Sequence, residues 1–244
     1  MEIMFIDAKY KGSISLTSAC LDHLKRFKSI ALFASVQYSH NLETVKKQLK
    51  KAGIKVIATR PDRSSVESQL IGCDVYYKNL NLKQEPAAFL QISDGVFHAN
   101  ALLFAQKGLE KPKEVIVFDP IEQEFTMITP ESVSQVLRKY KAALMRFLTS
   151  DTIGVLISTK LGQEQYEASK RLEKKYPGKK FYYFVDNSIN FSSLENFPFI
   201  QIWVNSACPR IALEDSISTP RPVINLNDAL DAEALLSKKS ILTQ

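Results

Sequence analysis

The sequence predicts an α/β protein with two related small domains. We expect each domain to have a parallel β-sheet flanked by helices, and we expect an active cleft between the domains at the carboxyl ends of the strands. Two observations support this fold class. β-rich runs such as residues 29–36 alternate with amphipathic stretches such as residues 41–52, and this alternation favours parallel sheets with crossover helices. The alternation restarts after residue 150, which indicates a second domain.

The first domain is predicted over residues 1–129. Its helices are expected from Thr17 or Ser18, either of which suits an N-cap, to Phe27, then over 41–52, in a short stretch before residue 70, and over 98–107. Gly53 closes the second helix, because glycine readily adopts the left-handed conformation found after a helix C-terminus. Strands are expected at 1–8, 29–36, 54–58, 74–77, 88–92 and 114–118.

The longest helical pattern, residues 130–147, has a proline in its first turn and apolar residues at three- and four-residue spacing. We expect residues 130–148 to form a helix that links the domains, and residues 149–244 to form the second domain. Its helices are expected at 163–176 and 227–236, and its strands at 152–158, 180–185, 199–204 and 223–225.

Composition narrows the class of protein. The net charge is +6, but the lysines are spread along helical stretches, as on a solvated face, and we expect no direct nucleic-acid partner. We also expect no membrane span and a cytoplasmic location, because no apolar run reaches roughly 20 residues and no signal-peptide pattern is present. The three cysteines are far apart, which favours thiols or metal ligands over a disulfide framework.

Cys208 follows the apolar run at 199–204, in a turn of small residues. Pro209 favours an extended backbone at Cys208, and Arg210 places a positive charge that favours the thiolate, the form that binds metal. The alternative is a buried small residue at a strand end. Cys73 also lies at a predicted turn, whereas the context of Cys20, inside the first helix, favours a small residue on a helix face.

Several polar residues fall at or just after the carboxyl ends of predicted strands. In open parallel sheets, ligands bind beyond these ends. The residues concerned are Gln37, Asp94, Asp119, Thr159 and Cys208.

Five segments, spread over about residues 1–228, resemble motifs of one family in the same order. The sequence WVNSACPRI at 203–211 resembles the last cysteine motif of the diphthamide synthase family, the 2-(3-amino-3-carboxypropyl)histidine synthases, here of the archaeal type. IGCD at 71–74 resembles its middle cysteine motif. The other three matches are ASVQY at 34–38, SDGVFH at 93–98 and VFDP at 117–120.

The resemblance implies a [4Fe–4S] cluster held by one cysteine from each of three domains, with Cys73 and Cys208 as two of the ligands and one iron open to S-adenosylmethionine. The reduced cluster would break the bond between sulfur and the methionine γ-carbon. The resulting 3-amino-3-carboxypropyl radical would add to a histidine of translation elongation factor 2. The resemblance further implies a homodimer, or a heterodimer with a related synthase subunit. The S-adenosylmethionine site would include Gln37, Gly72, Asp94, Asp119, Pro209 and Arg210.

The chain departs from the family pattern in three ways. The resemblance begins at the family's second domain, so one cysteine ligand is missing. Three alternatives remain for this ligand. Cys20 supplies it, a partner chain supplies a thiolate, or the site has only two cysteines. Val96 and Gln163 stand where the family usually has arginine.

Two other functions remain open from the sequence. One is an accessory, non-catalytic subunit that completes or reduces the cluster of a full-length partner. The other is an α/β binding protein without metal, whose cysteines are core residues, although no dinucleotide or phosphate-loop motif supports a specific chemistry there.

Overall fold

The computed structural model describes residues 8–214 and 221–243, so the strand expected at 1–8 lies outside the described residues except for its last position. The chain divides into two compact units. One unit comprises Met1–Gln106 and Lys111–Val133, and the other comprises Lys107–Glu110 and Ser134–Gln244. Each unit contains one mainly parallel sheet with helices between its strands, which confirms the predicted α/β class.

From residue 8 onwards, the first unit shows a sheet of five strands in the order β2-β1-β3-β4-β5. Neighbouring strands are parallel except β4 and β5, which are antiparallel. All five residues of β3 and five of the six in β1 are buried, as expected for strands covered on both faces. The strands are β1 (Ser29–Ala34), β2 (Lys55–Ile57), β3 (Ala88–Ile92), β4 (Glu114–Asp119) and β5 (Glu124–Ile128).

The described part of the first unit has three α-helices: α1 (Ser18–Leu24), α2 (Glu43–Lys51) and α3 (Phe97–Ala105). Thr17 caps α1 through its hydroxyl oxygen, which accepts the N–H of Cys20. Gly53 has φ of +79° after α2, as the sequence predicted. Two short 3₁₀ helices, Tyr77–Leu80 and Pro130–Val133, complete the unit's described helices.

Two predictions for this unit were wrong. In place of the strand expected at 74–77, residues 74–76 form an irregular segment that leads into a 3₁₀ helix at Tyr77. The reason is local hydrogen bonding, because Asp74 bonds Ile71 through both its side chain and its backbone N–H. The helix expected before residue 70 does not form, since the Gln69 side chain accepts the N–H groups of Ser65 and Val66. The hairpin strand β5 was not predicted.

The second unit contains a four-stranded, wholly parallel sheet in the order β7-β6-β8-β9. Trp203 of β8 is fully buried, and a Cβ at Gly154 of β6 would overlap its ring. The strands are β6 (Thr152–Ser158), β7 (Lys180–Asp186), β8 (Ile202–Asn205) and β9 (Val223–Asn225). The helices are α4 (Ser134–Thr149), α5 (Tyr166–Ser169), α6 (Arg171–Lys175), α7 (Phe191–Leu194), α8 (Arg210–Leu213), α9 (Leu226–Leu230) and α10 (Ala232–Ser237).

Helix α4 packs against β8, β9, α8, α9 and α10, so most of the stretch expected to link the domains is part of the second unit's core. The helix expected at 163–176 begins only at Tyr166. Gly162 has φ of +74°, and the Glu164 carboxylate accepts the N–H of Tyr166, which starts the helix later. Helices α9 and α10 replace the single helix expected at 227–236, and α7 and α8 were not predicted.

Among residues 8–214 and 221–243, none of the helices has the length and apolar character needed to cross a membrane.

Candidate functional site

Gln37 and Asp94 meet at the carboxyl edge of the first sheet. Gln37 lies just beyond β1 and Asp94 just beyond β3, and these strands are neighbours in the sheet. The Gln37 Nε2 donates a hydrogen bond of 2.9 Å to the Asp94 Oδ1. The structure therefore brings together two predicted site residues, 57 positions apart in the chain.

Asp119 ends β4, the strand next to β3. Its Oδ1 accepts the N–H of Ile121 at 2.8 Å and of Glu122 at 3.2 Å. Tyr38 is almost fully buried, and burial, together with the negative charges of Asp94 and Asp119, raises its pKa to about 12. The shift shows that Tyr38 is in the electrostatic field of both carboxylates.

Cys73 lies in a half-buried loop past the end of β1. Gln69, four residues earlier, forms a parallel bridge with Ala34 at the end of that strand. A Cβ at Gly72 would lie 2.5 Å from the Phe97 ring, so glycine is needed for this close approach to the start of α3. The Cys73 loop, residues 71–74, therefore lies beyond the carboxyl edge of the first sheet, and Cys73 lies in a turn, as the sequence predicted.

Asp74 closes the Cys73 loop. Its Oδ2 accepts the N–H of Ile71 at 2.9 Å, and its own N–H donates to the Ile71 carbonyl at 3.0 Å. The side chain is fully buried, and burial raises its pKa to about 6, although the hydrogen bond from Ile71 opposes this shift. One carboxylate therefore determines the shape of the loop that presents Cys73.

Cys20 lies in the hydrophobic core of the first unit. It is fully buried, with Ile14, Leu16 and Leu24 in the same cluster. Burial raises the pKa of its thiol to about 12, so the thiol is protonated at neutral pH, whereas metal binding requires the thiolate. This placement favours the core-residue interpretation of Cys20 over its assignment as the missing ligand.

Cys208 is half-buried and follows β8. Its carbonyl oxygen accepts the Nδ2 of Asn205 at 2.9 Å and the N–H of Ile211 at 3.1 Å. The Asn205 Oδ1 in turn accepts the N–H of Ala207 at 3.1 Å. The Cys208 loop, residues 206–209, therefore runs from the end of β8 directly into α8.

Arg210 opens α8 and is almost fully buried. Its Nε donates to the Glu214 Oε2 at 2.7 Å, and its guanidinium forms an ion pair with the same carboxylate. The positive charge that the sequence places near Cys208 is therefore partly neutralised by Glu214, a partner that the sequence analysis missed. Pro209 is buried at the turn before it, in a helical backbone conformation.

Within residues 8–214 and 221–243, no group of three or more His, Cys, Asp or Glu side chains is arranged to hold a metal ion. What each unit offers is one half-buried cysteine past the carboxyl edge of its parallel strands, Cys73 in the first and Cys208 in the second.

The fold is similar to that of solved structures. The crystal structure of Dph2 from Pyrococcus horikoshii matches with a TM-score of 0.72 and 28% sequence identity, over 92% of this chain and 63% of that one. The crystal structure of the same protein with a 4Fe-4S cluster gives the same TM-score and identity, over 91% of this chain and 62% of that one. The class is thus an α/β protein with the Dph2 fold.

The chain belongs to the diphthamide synthesis protein family, whose model matches residues 1–240. This confirms the family that the motifs indicated. The chain is 24% identical over 216 residues to subunit 1 of the 2-(3-amino-3-carboxypropyl)histidine synthase of Neurospora crassa. This alignment covers 84% of the chain and 44% of that protein. The chain is 25% identical over 171 residues to the synthase of Methanocaldococcus jannaschii, with coverages of 66% and 50%. The chain spans about half the length of these curated relatives.

Proposed function

We propose that this chain acts in the first step of diphthamide biosynthesis, the transfer of a 3-amino-3-carboxypropyl group from S-adenosylmethionine to a histidine of translation elongation factor 2. The observation that carries the proposal is the placement of Cys73 and Cys208. Both belong to family-like motifs, and both lie in half-buried loops past the carboxyl edges of parallel strands. The proposed acceptor places the reaction in the cytoplasm.

The thiols present fit part of a [4Fe–4S] site. Cys73 and Cys208, both half-buried, would supply two ligands, whereas Cys20 is buried with a pKa of about 12. The chain has three cysteines in all, so a third thiolate would come from outside these 244 residues. When bound, the cluster would supply the electron that breaks the carbon–sulfur bond of S-adenosylmethionine.

The other predicted site residues would bind S-adenosylmethionine, which carries a positive sulfonium and ammonium group. Asp94 and Asp119 supply carboxylates of the complementary sign. Gln37 orients the first through its side chain, and backbone N–H groups orient the second. In the second unit Arg210 would act on the substrate carboxylate, its charge moderated by Glu214. Gly72 and Pro209 would line the site beside the two cysteines.

A second candidate function is an accessory subunit that docks on a related synthase subunit and completes or reduces that subunit's cluster. Two observations favour it. Cys20 is buried in the core, and Val96 and Gln163 stand where the family usually has arginine. The loss of two positive charges would weaken binding of an anionic group by a chain acting alone.

The deciding experiment is reconstitution without oxygen, with iron counted per chain. The wild type, Cys73→Ala, Cys208→Ala and the matched control Cys20→Ala are each treated with iron and sulfide, alone and with a related synthase subunit. We expect Cys73→Ala and Cys208→Ala to lose most of the iron that the wild type holds, and Cys20→Ala to retain it.

Product formation then separates the two candidates. Release of methylthioadenosine and modification of elongation factor 2 by the chain alone support the enzyme, and activity only with the second subunit supports the accessory role. The proposal is wrong if the wild type binds no iron in either setting, or if its iron is insensitive to both loop cysteines.

A further inference from the structure

Two buried asparagines hold the Cys208 loop by its carbonyl groups. The Asn205 Nδ2 donates to the Cys208 carbonyl at 2.9 Å, and the Asn225 Nδ2 donates to the Pro209 carbonyl at 3.0 Å. Asn205 is 1% and Asn225 2% exposed. Both of these consecutive carbonyls are thus fixed by side chains that solvent hardly reaches.

The asparagines are also fixed to each other. They are register partners at the carboxyl ends of the parallel strands β8 and β9, and the Asn205 Nδ2 donates to the Asn225 Oδ1 at 2.9 Å. Because the sheet holds both backbones, the amide pair forms a rigid platform under the loop.

The platform is connected through Tyr140 to a buried ion pair formed by Asp228 and Lys107. The N–H of Asn225 donates to the Tyr140 hydroxyl at 2.8 Å, and that hydroxyl donates to the Asp228 Oδ2 at 2.6 Å. Lys107 lies 3.4 Å from the Asp228 Oδ1, and both side chains are almost fully buried. Buried charges add little net stability compared with apolar residues of the same volume. A chain of buried hydrogen bonds instead restricts the backbone to one arrangement.

We propose that Asn205 and Asn225 are positioning residues that orient the Cys208 thiol for metal binding. The inference rests on the proposed function, in which Cys208 is a cluster ligand. The Cys208 carbonyl accepts two hydrogen bonds, one from Asn205 and one from the N–H of Ile211, so the direction of its Cα–Cβ bond is set before metal arrives. Preorganised ligands of this kind depend on the residues that hold them.

The test uses Asn225→Ala in the metal-free chain of 244 residues. Iodoacetamide labelling is followed at each cysteine by peptide mass spectrometry. The variant loses a buried hydrogen bond to the Pro209 carbonyl, so the Cys208 loop opens more easily. We expect iodoacetamide to label Cys208 roughly fivefold faster than in the wild type. The rate at Cys73 is expected to stay unchanged, since its loop lies in the first unit.

Asn190→Ala is the matched control. Asn190 also bonds through its side chain, since its Oδ1 accepts the N–H of Ser192 at the start of α7, but it is exposed and makes no bond to the Cys208 loop. Its loss lowers stability by removing a cap, so faster labelling of Cys208 in both variants would point to general loosening and overturn the proposal. Asn225→Asp, which keeps the volume and the acceptor for Asn205, decides the question at pH 8 if Asn225→Ala does not fold.

Iron release to a chelator from the reconstituted protein gives the second readout. We expect both Asn225 variants to release iron several-fold faster than the wild type and Asn190→Ala. If Cys208→Ala holds as much iron as the wild type, the ligand assignment itself fails. If Cys208 is required but the Asn225 variants match the wild type in labelling and in iron release, the positioning role is refuted.

Discussion

The Cys73 and Cys208 loops present their cysteines in similar places but are held in different ways. The Cys73 loop is closed by one local carboxylate, Asp74, three residues from its partner Ile71. The Cys208 loop is held by two amides that come from different strands and have a buried ion pair behind them. A loop of the first kind forms from its own sequence, whereas a loop of the second kind depends on the assembled unit.

The largest expected difference is in the rate of thiol labelling, which should be much higher at Cys73 and Cys208 than at Cys20. Burial raises the pKa of Cys20 to about 12, so its thiolate fraction at pH 8 is far below that of an ordinary thiol. We therefore expect iodoacetamide to label Cys73 and Cys208 within a time in which Cys20 stays unlabelled. Peptide mass spectrometry checks the three rates.

The pH dependence of Cys20 has a definite sign. Its labelling rate is expected to rise with pH towards 12 as the thiolate forms, and the thiolate favours unfolding because burial penalises it. Prompt labelling of Cys20 in the folded protein at pH 8 would contradict its placement in the core.

The next effect concerns the anchor behind the Cys208 loop. Asp228→Asn removes the carboxylate charge that faces the buried Lys107, and we expect the free energy of unfolding to fall by about 3 kcal/mol. Urea unfolding measures the change. Lys239→Met is the control, because Lys239 pairs with Glu110 at 2.9 Å in the same unit but is exposed, and exposed pairs contribute about 0–1 kcal/mol. Equal losses in the two variants would argue against a structural role for the buried pair.

The smallest effect concerns the Cys73 loop. Asp74→Ala removes the acceptor for the Ile71 N–H, and we expect it to lower the free energy of unfolding by about 1–2 kcal/mol. Asp74→Asn keeps an acceptor of the same shape and is expected to retain most of the stability. Urea unfolding at neutral pH compares the two variants. If both variants are equally destabilised, the hydrogen bond that Asp74 accepts from Ile71 is not what stabilises this loop.

Much of the fold was predictable because several strands, among them β3, β6 and β9, are almost entirely buried. Such strands form continuous apolar runs, and β3, β6 and β9 begin and end where the sequence predicted. The errors fall where side chains bond the backbone locally. The side chains of Asp74 and Gln69 accept backbone N–H groups in these two segments. The periodicity of apolar residues does not reveal such local hydrogen bonds.

The candidate site was also predictable only in part from the sequence. Gln37, Asp94 and Asp119 could be placed at one sheet edge because each follows a recognisable strand, and parallel strands bring their carboxyl ends together. Asn225 and Tyr140 could not be placed, since nothing in their neighbourhoods differs from an ordinary strand end or helix face. Their roles depend on contacts between positions that are 85 residues apart.

By itself, the sequence determined the α/β class, the family and the two cysteine motifs, because these follow from local patterns of apolar, small and turn-forming residues. Only the tertiary structure decided that Cys20 lies in the core, that Glu214 pairs with Arg210, and that two asparagines from neighbouring strands hold the Cys208 loop. The physical reason is that burial and side-chain hydrogen bonding are properties of the packed unit. They arise only when segments distant in the chain exclude water together.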